Sequence, residues 1–158
     1  MATEATSRDT TQGGSTGSTG WTDDERAAMK EHAAELKRAT GKGAAKAAEE
    51  AQACLDKISE MTGGDRHLAE RIHAIVTSTV ADVVVKTYYG MPAYARENGK
   101  VVCWFKSAAK FKTRYATVGF SDQASLDDGD VWPTEYAVSA LGAAEEKTIT
   151  ALVERAFG

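Results

Sequence analysis

The sequence is poor in the residues that build metal and disulfide sites. It has two cysteines, Cys54 and Cys103, and three histidines among 158 residues. The absence of a Cys-x-x-Cys motif and of any Cys/His cluster argues against a thiolate zinc site. One bridge between the two cysteines stays open as an alternative, but two reduced thiols that pack as small apolar groups are the favoured interpretation.

Long apolar runs and an excess of basic charge are also missing. No uncharged apolar segment approaches the roughly 20 residues of a membrane span, and the first twenty residues lack the apolar core of a secretory signal. The formal net charge is -4, whereas a general DNA-binding domain has a strongly basic surface. These absences predict a cytoplasmic protein that acts without a membrane and without nucleic acid.

The composition divides the chain into a tail and one domain. Residues 1–20 are mostly Thr, Ser and Gly. Because such a segment has almost nothing to bury, it is predicted to be a disordered tail. Residues 21–158 have the length and the apolar content of a single globular domain.

Helical patterns occupy the first half of this domain and its end. Thr22 and Glu25 have the spacing of a capping box that begins a first helix. Further helices are predicted at about 44–61, at about 65–79 with Asp65 as its cap, and at about 143–157. The apolar stripes predicted to face inward are Met29, Ala33 and Leu36; then Ala47, Ala51, Cys54, Leu55 and Ile58; then Leu68, Ile72, Ile75, Val76 and Thr79; and finally Ile149, Leu152, Val153 and Ala156.

Strand patterns lie between the third and the last helix. Asn98-Gly99 is the strongest short hairpin signal in the chain, between strands at 94–97 and 100–105. The second of these is apolar on both faces, which predicts a central, covered strand. A third strand is predicted at 115–120 and a short fourth around 136–138. The fold class is therefore α+β: a two-layer sandwich with three N-terminal helices, a three- to four-stranded, mainly antiparallel sheet and a C-terminal helix.

An acidic loop follows the predicted third strand. It contains Asp122, Asp127, Asp128 and Asp130. Carboxylate oxygens are the ligands that hard cations and ferrous iron accept, so these four aspartates are a candidate metal site. The alternative, which the sequence favours, is a solvated loop whose aspartates form turns and pair with nearby lysine or arginine side chains.

A basic segment and a cluster of aromatic residues form a second candidate site. Residues 106–114 could hold an anion at a basic strand end through Lys110, Lys112 and Arg114. An aromatic groove beside it would be a typical small-molecule site, and its candidate lining residues are Tyr89, Met91, Tyr94 and Trp132. The alternative for the aromatic residues is simple core packing, which is favoured for Trp104 and Phe120.

Catalytic patterns are not marked out in this sequence. His67 and His73 are six residues apart, so they lie on different faces of a helix and do not share a metal by helical spacing. His73 is best interpreted as a half-buried structural residue. No nucleophile is paired with a base and no carboxylate pair stands out, so no catalytic residue is proposed.

Several sequence runs resemble the bacterial YdhG-like family, a conserved domain of unknown function. The runs that carry the resemblance are Tyr89-Gly90-Met91-Pro92-Ala93-Tyr94, Gly99-Lys100-Val101-Val102, Lys110-Phe111-Lys112-Thr113-Arg114-Tyr115-Ala116, Gly119-Phe120-Ser121-Asp122, Leu126-Asp127-Asp128-Gly129 and Trp132-Pro133, together with the helical stretches 24–30 and 68–76. The resemblance extends over about residues 21–157. It implies a compact α/β sandwich, and one branch of the family is described as a frataxin-like intracellular iron chaperone.

Two functions are therefore expected. The first is a small cytoplasmic binding protein for iron, with ligands in the acidic loop or at the Asp23-Asp24-Glu25 helix start, as the resemblance implies. The second is a module without metal that binds a small anionic ligand or a protein partner through the aromatic groove and the basic strand end.

Overall fold

The computed structural model describes residues 20–38 and 43–158. The predicted tail lies outside the described residues, except for Gly20. The elements are α1 (Asp23–Arg38), α2 (Gly43–Glu60), α3 (Gly63–Thr79), β1 (Val84–Tyr88), β2 (Met91–Ala95), β3 (Val101–Lys106), α4 (Ala108–Phe111), β4 (Ala116–Phe120), β5 (Glu135–Val138) and α5 (Ala143–Phe157). This order confirms the α+β class, with three N-terminal helices and a C-terminal helix around an antiparallel sheet.

The described sheet is an antiparallel meander of five strands in the order β1-β2-β3-β4-β5. β3 is central, as its two-sided apolar pattern predicts. The prediction of three to four strands missed β1. The polar residues Lys86 and Thr87 interrupt the apolar pattern of β1, which is an edge strand and has only one strand beside it.

The core lies between one face of the sheet and three helices, α2, α3 and α5. Paired positions Val85, Tyr94, Cys103 and Phe120 form one row across four strands on this face. The helices contribute buried side chains that include Cys54, Ile58, Ile72, Val76, Ile149 and Val153. Full burial of one such aliphatic or aromatic side chain contributes about 1.5–3 kcal/mol, so this core dominates the stability of the fold.

The neighbouring row of the sheet points to the opposite face, because successive side chains of a strand alternate. This row contains Lys86, Ala93, Trp104, Gly119 and Glu135. The Trp104 ring lies so close over Gly119 that a Cβ atom there would collide with it. Trp104 is therefore half-buried outside the main core, contrary to its predicted place, whereas Phe120 is a core residue as predicted.

The helix α1 turns a different face to the protein from the one that its sequence predicts. The capping box is present: Thr22 N–H donates to Glu25 Oε2 at 2.6 Å, and Glu25 N–H donates to Thr22 Oγ1 at 3.1 Å. The predicted apolar stripe, however, faces outward, with Met29 42% and Leu36 59% exposed. Among the 16 residues of α1, all of which the structure describes, only Glu35 is buried.

The basic segment contains a short helix, α4, rather than a strand end. Asp65, which was predicted to cap α3, instead accepts hydrogen bonds from the N–H groups of Ala108 and Ala109 at 3.3 and 2.9 Å. α3 begins at Gly63, two residues earlier than predicted. On α2, Leu55 is 44% exposed and does not belong to the inward stripe.

The two cysteines are buried and free, as the favoured interpretation predicts. Burial raises the pKa of Cys103 to about 12. It also raises the pKa of Cys54 to about 12, against hydrogen bonds from the Ala93 backbone and Tyr94 that lower it. Both groups are therefore neutral thiols that pack as apolar residues. None of the described helices combines the length and apolarity that crossing a membrane requires.

Candidate functional site

The turn between β1 and β2 has an unusual backbone conformation. Tyr88 and Met91 are its last paired residues, so the loop contains only Tyr89 and Gly90. Both residues have positive φ angles, 51° and 76°. Positive φ at both central positions is typical of the type I′ hairpin turn. A left-handed backbone costs a residue with a side chain about 1–2 kcal/mol, so Tyr89 needs contacts that hold it in place.

Those contacts come from α1. The Glu35 carboxylate accepts a hydrogen bond from Tyr89 N–H at 3.0 Å and another from Gly90 N–H at 2.9 Å. The His32 ring stacks on the Tyr89 ring with centroids 4.1 Å apart and an angle of 12°. His32 Nδ1 also lies 3.2 Å from Glu35 Oε2. Each oxygen of a carboxylate that is only 8% exposed therefore has a defined partner.

A second carboxylate of α1 is bound one helical turn earlier. Glu31 Oε1 lies 2.9 Å from Lys57 Nζ, and Glu31 Oε2 lies 2.7 Å from Lys110 Nζ. Lys57 belongs to α2 and Lys110 to α4, so ammonium groups from two different helices meet at the Glu31 carboxylate. A carboxylate held between two ammonium groups makes charge-assisted hydrogen bonds, which are the stronger class.

The ionisation of this cluster follows from its charges. Burial raises the pKa of Glu31, but the hydrogen bonds and positive charges of Lys110 and Lys57 outweigh burial, so the net pKa is lowered. Burial lowers the pKa of Lys57, but hydrogen bonds and negative charges from Glu31 and Glu60 raise it by more. The net pKa of Lys57 is therefore raised. Glu31 and Lys57 are therefore an ion pair throughout the neutral range.

The ion cluster forms one wall of a groove of about 330 Å³ at this end of the sandwich. The groove is lined by Glu31, Lys57, Glu60, Met61, Thr62, Asp65, Gly90, Ser107, Ala109 and Lys110. The Asp65 carboxylate accepts hydrogen bonds from the α4 backbone, and Glu60 Oε2 lies 3.4 Å from Lys57 Nζ. Glycine suits this position because of its φ of 76°, and a Cβ atom here would displace the side-chain ends of Glu31 and Lys110.

The residues that were predicted to bind an anion or to line an aromatic groove lie in three separate places. Lys110 lines the groove, Tyr89 lies in the turn with its ring stacked on His32, and Met91 is buried at the start of β2 and is not a groove residue. Tyr94, by contrast, is fully buried and its hydroxyl lies 3.0 Å from His73 Nδ1, so it is a core residue and not a groove residue. The half-buried structural role predicted for His73 agrees with this contact.

The remaining basic candidates lie beyond the groove. Lys112, at the left-handed end of α4 with φ 53°, pairs with Asp24 of α1 at 3.1 Å. Arg114 lies over the Tyr115 ring, 5.0 Å from its centroid. Both residues line a neighbouring groove of about 500 Å³, which Lys110 does not share.

The acidic loop and Trp132 form a separate region. Asp122, Asp127 and Asp130 line an open groove of about 600 Å³ together with Trp132, and Asp128 lies outside it. Within residues 20–38 and 43–158, no three His, Cys, Asp or Glu side chains are placed so that they could hold one metal ion. The geometry thus lends the iron hypothesis no support, and that hypothesis stays a prediction.

The sequence interpretation missed Glu31, His32, Glu35 and Lys57. Their signal was hidden because the amphipathic pattern of α1 suggested that the Met29 stripe would face inward. Glu31 and Glu35 are nevertheless spaced i and i+4, which places their carboxylates side by side on a helix. A Tyr-Gly pair between two strand patterns was the other usable signal, since it fits a two-residue turn.

Comparisons with known proteins add no relative. No family model matches the chain, and neither the curated proteins nor the solved structures contain a match. The resemblance to the YdhG-like family therefore stays a prediction, and the argument for function depends on the geometry of the groove.

Proposed function

We propose that this protein is a binding protein without metal whose ligand is a small organic acid. The ligand carboxylate binds between Lys57 and Lys110 at the groove. The observation that carries this proposal is the convergence of these two ammonium groups, from α2 and α4, on the two oxygens of one carboxylate. The location we propose for this activity is the cytoplasm.

The groove has the size and the chemical groups for such a ligand. Its volume of about 330 Å³ lies at the lower end of the range typical of small-molecule sites. Ser107 and Thr62 add hydroxyl groups to the lining, and Met61 adds apolar surface. The side chain of Glu31 is 25% exposed, so a ligand carboxylate can reach the lysines and compete with it.

The proposed site contains one of the three basic residues that the sequence predicted to bind an anion. Lys110 lies in the groove, whereas Lys112 and Arg114 face other partners. The second cation of the site is Lys57 of α2, which lies outside the basic segment 106–114. The two lysines are compact charges with several donors each, which suits carboxylates that arrive in different orientations.

The test is the binding of glutarate to Lys57→Ala/Lys110→Ala, measured by calorimetry at constant ionic strength. We expect the affinity to fall at least tenfold, because each charge-assisted hydrogen bond contributes about 1.5–3 kcal/mol. The matched control is Lys100→Ala/Lys147→Ala, which removes the same charge from exposed positions and should bind as the parent does. Equal affinity in the two double variants, or no binding to the parent, would overturn the proposal.

A further inference from the structure

We propose that α1 is a displaceable occupant of the binding site, in which Glu31 and Glu35 take the places of the two carboxylates of a dicarboxylate ligand. The carboxylate site, as we call it, consists of the ammonium groups of Lys57 and Lys110 and the N–H groups of Tyr89 and Gly90. This inference rests on the proposed function and names both the ligand class and the regulation of the same site.

Every donor of the carboxylate site belongs to the sandwich and none belongs to α1. Lys57 lies on α2, and the turn that contains Tyr89 and Gly90 joins β1 to β2. Lys110 lies on α4, whose first N–H groups are bound by Asp65 of α3. Because the backbones of α2, α4 and the two strands do not belong to α1, they keep their places when α1 moves away, and the ligand replaces Glu31 and Glu35 as the partner of the lysines and the turn amides.

The attachment of α1, in contrast, combines polar contacts with the stacking of the His32 ring on Tyr89. Besides Glu31 and Glu35, it depends on the Arg38 guanidinium, which donates to Thr87 Oγ1 at 3.1 Å, and on the Asp24–Lys112 pair. A typical hydrogen bond contributes only about 0.5–1.5 kcal/mol net, because water offers the same bonds to the separated groups. With its apolar stripe exposed, α1 lacks the apolar burial that fixes the other long helices.

The turn has the φ angles of a type I′ hairpin, but it places a bulky residue at a left-handed position. Tyr89 holds a left-handed conformation that disfavours bulky residues, and such conformations concentrate at ligand-binding positions. Gly90 allows a carboxylate to approach the backbone directly, because a Cβ atom would occupy the place that the Glu31 carboxylate takes. Two N–H groups point at one anion, as in other backbone anion sites.

The spacing of the two carboxylates defines the ligand class. Glu31 and Glu35 are one helical turn apart, which places their Cβ atoms about 5–6 Å from each other. One carboxylate binds the two lysines and the other binds the two turn amides. A dicarboxylate whose two carboxylates are joined by a short aliphatic chain, such as glutarate, can place one carboxylate at the lysines and the other at the turn amides.

The first experiment measures glutarate affinity of the full chain and of Glu31→Gln/Glu35→Gln by calorimetry. We expect the variant to bind about tenfold more tightly, because its helix no longer competes with two charged groups. The matched control is Glu49→Gln/Glu154→Gln, which makes the same charge change at exposed positions and should bind as the parent does. Unchanged or weaker binding in the Glu31/Glu35 variant would overturn the inference while leaving the proposed function intact.

The second experiment uses the parent protein alone and avoids any folding defect of the variant. Hydrogen exchange of the α1 amides is measured with and without saturating glutarate, and with butyrate as the monocarboxylate probe. We expect glutarate to accelerate exchange in α1 while α3 stays protected. If bound glutarate leaves α1 protected, displacement is wrong. If butyrate binds as tightly as glutarate, the dicarboxylate class is wrong. If neither acid binds, the proposed function itself fails.

Discussion

The sandwich core and α1 are held by opposite kinds of contact. The core joins α2, α3 and α5 to the sheet through fully buried apolar side chains such as Phe105 and Val153. α1 joins the same sheet through carboxylates, a histidine ring and an arginine, and the one residue that it buries is charged. In this chain, apolar burial therefore fixes α2, α3 and α5, whereas ionisable groups attach α1.

This difference predicts that the two regions respond to different perturbations. Apolar burial depends on area removed from water and changes little with pH or salt. Ion pairs that are partly exposed depend on protonation and are screened by salt. The core should therefore set the stability of the whole domain, while solution conditions decide whether α1 is docked.

The largest expected effect is in the core. Phe105 is fully buried on the central strand, so Phe105→Ala should lower the free energy of unfolding by about 3–5 kcal/mol, through lost transfer energy and a cavity. Urea denaturation measures this. The contrasting variant is Leu36→Ala on the exposed stripe of α1, which should change stability by about 0.5 kcal/mol or less. A comparable loss in both variants would remove the distinction between the two regions.

An intermediate effect should appear at mildly acidic pH and belongs to the core. Burial lowers the pKa of His73 below its usual 6.5, so the unfolded chain takes up this proton more readily than the folded protein does. The free energy of unfolding should therefore decline as the pH falls below about 6.5 and level off below the folded pKa.

Urea titrations at several pH values measure this slope. His73→Gln removes the titrating group and should flatten it, whereas the exposed His67→Gln should not. An unchanged slope in His73→Gln would assign the pH dependence to other groups.

The smallest expected effect is in the attachment of α1. Because the pKa of Glu31 is lowered from 4.5, its ionised form stabilises docking above about pH 4.5, and this contribution is lost as the pH falls through the lowered value. The loss should be about 1 kcal/mol or less, as for other partly exposed ion pairs. Backbone chemical shifts of α1 followed by NMR from pH 6 to 3 measure it, with Glu31→Gln as the variant that should show no such step. Movement of the α3 signals in the same step would mean that α1 and the core unfold together.

Much of the fold was predictable because its signals are local. A turn joins β2 to β3 at the predicted place, but it is longer than a two-residue hairpin: Gly99 N–H donates to the Arg96 carbonyl, and Gly99 has a positive φ of 81°. The stripe of Leu68, Ile72 and Val76 faces the core because its period matches a helix. β1 was missed because an edge strand with Lys86 and Thr87 lacks a continuous apolar pattern.

The candidate site was only half predictable. Lys110 and Tyr89 were singled out by composition, but their partners were not. Glu31 and Lys110 are 79 residues apart in the sequence, and Lys57 comes from a third element. Tyr94 was assigned to a groove because an aromatic ring with a hydroxyl suits both a groove and a core, and only the packing of α2 and α3 over it decides between them.

The sequence by itself determined the α+β class, the helices α2, α3 and α5 and the place of the β2–β3 turn, because each depends on spacing or composition along the chain. The tertiary structure alone decided which face of α1 turns inward. An amphipathic pattern indicates that a helix has an apolar and a polar face. The polar face can still turn inward when it meets lysine side chains and turn amides. That choice brings Glu31 and Glu35 onto the carboxylate site, because charge and hydrogen-bond complementarity act across distances that no local pattern records.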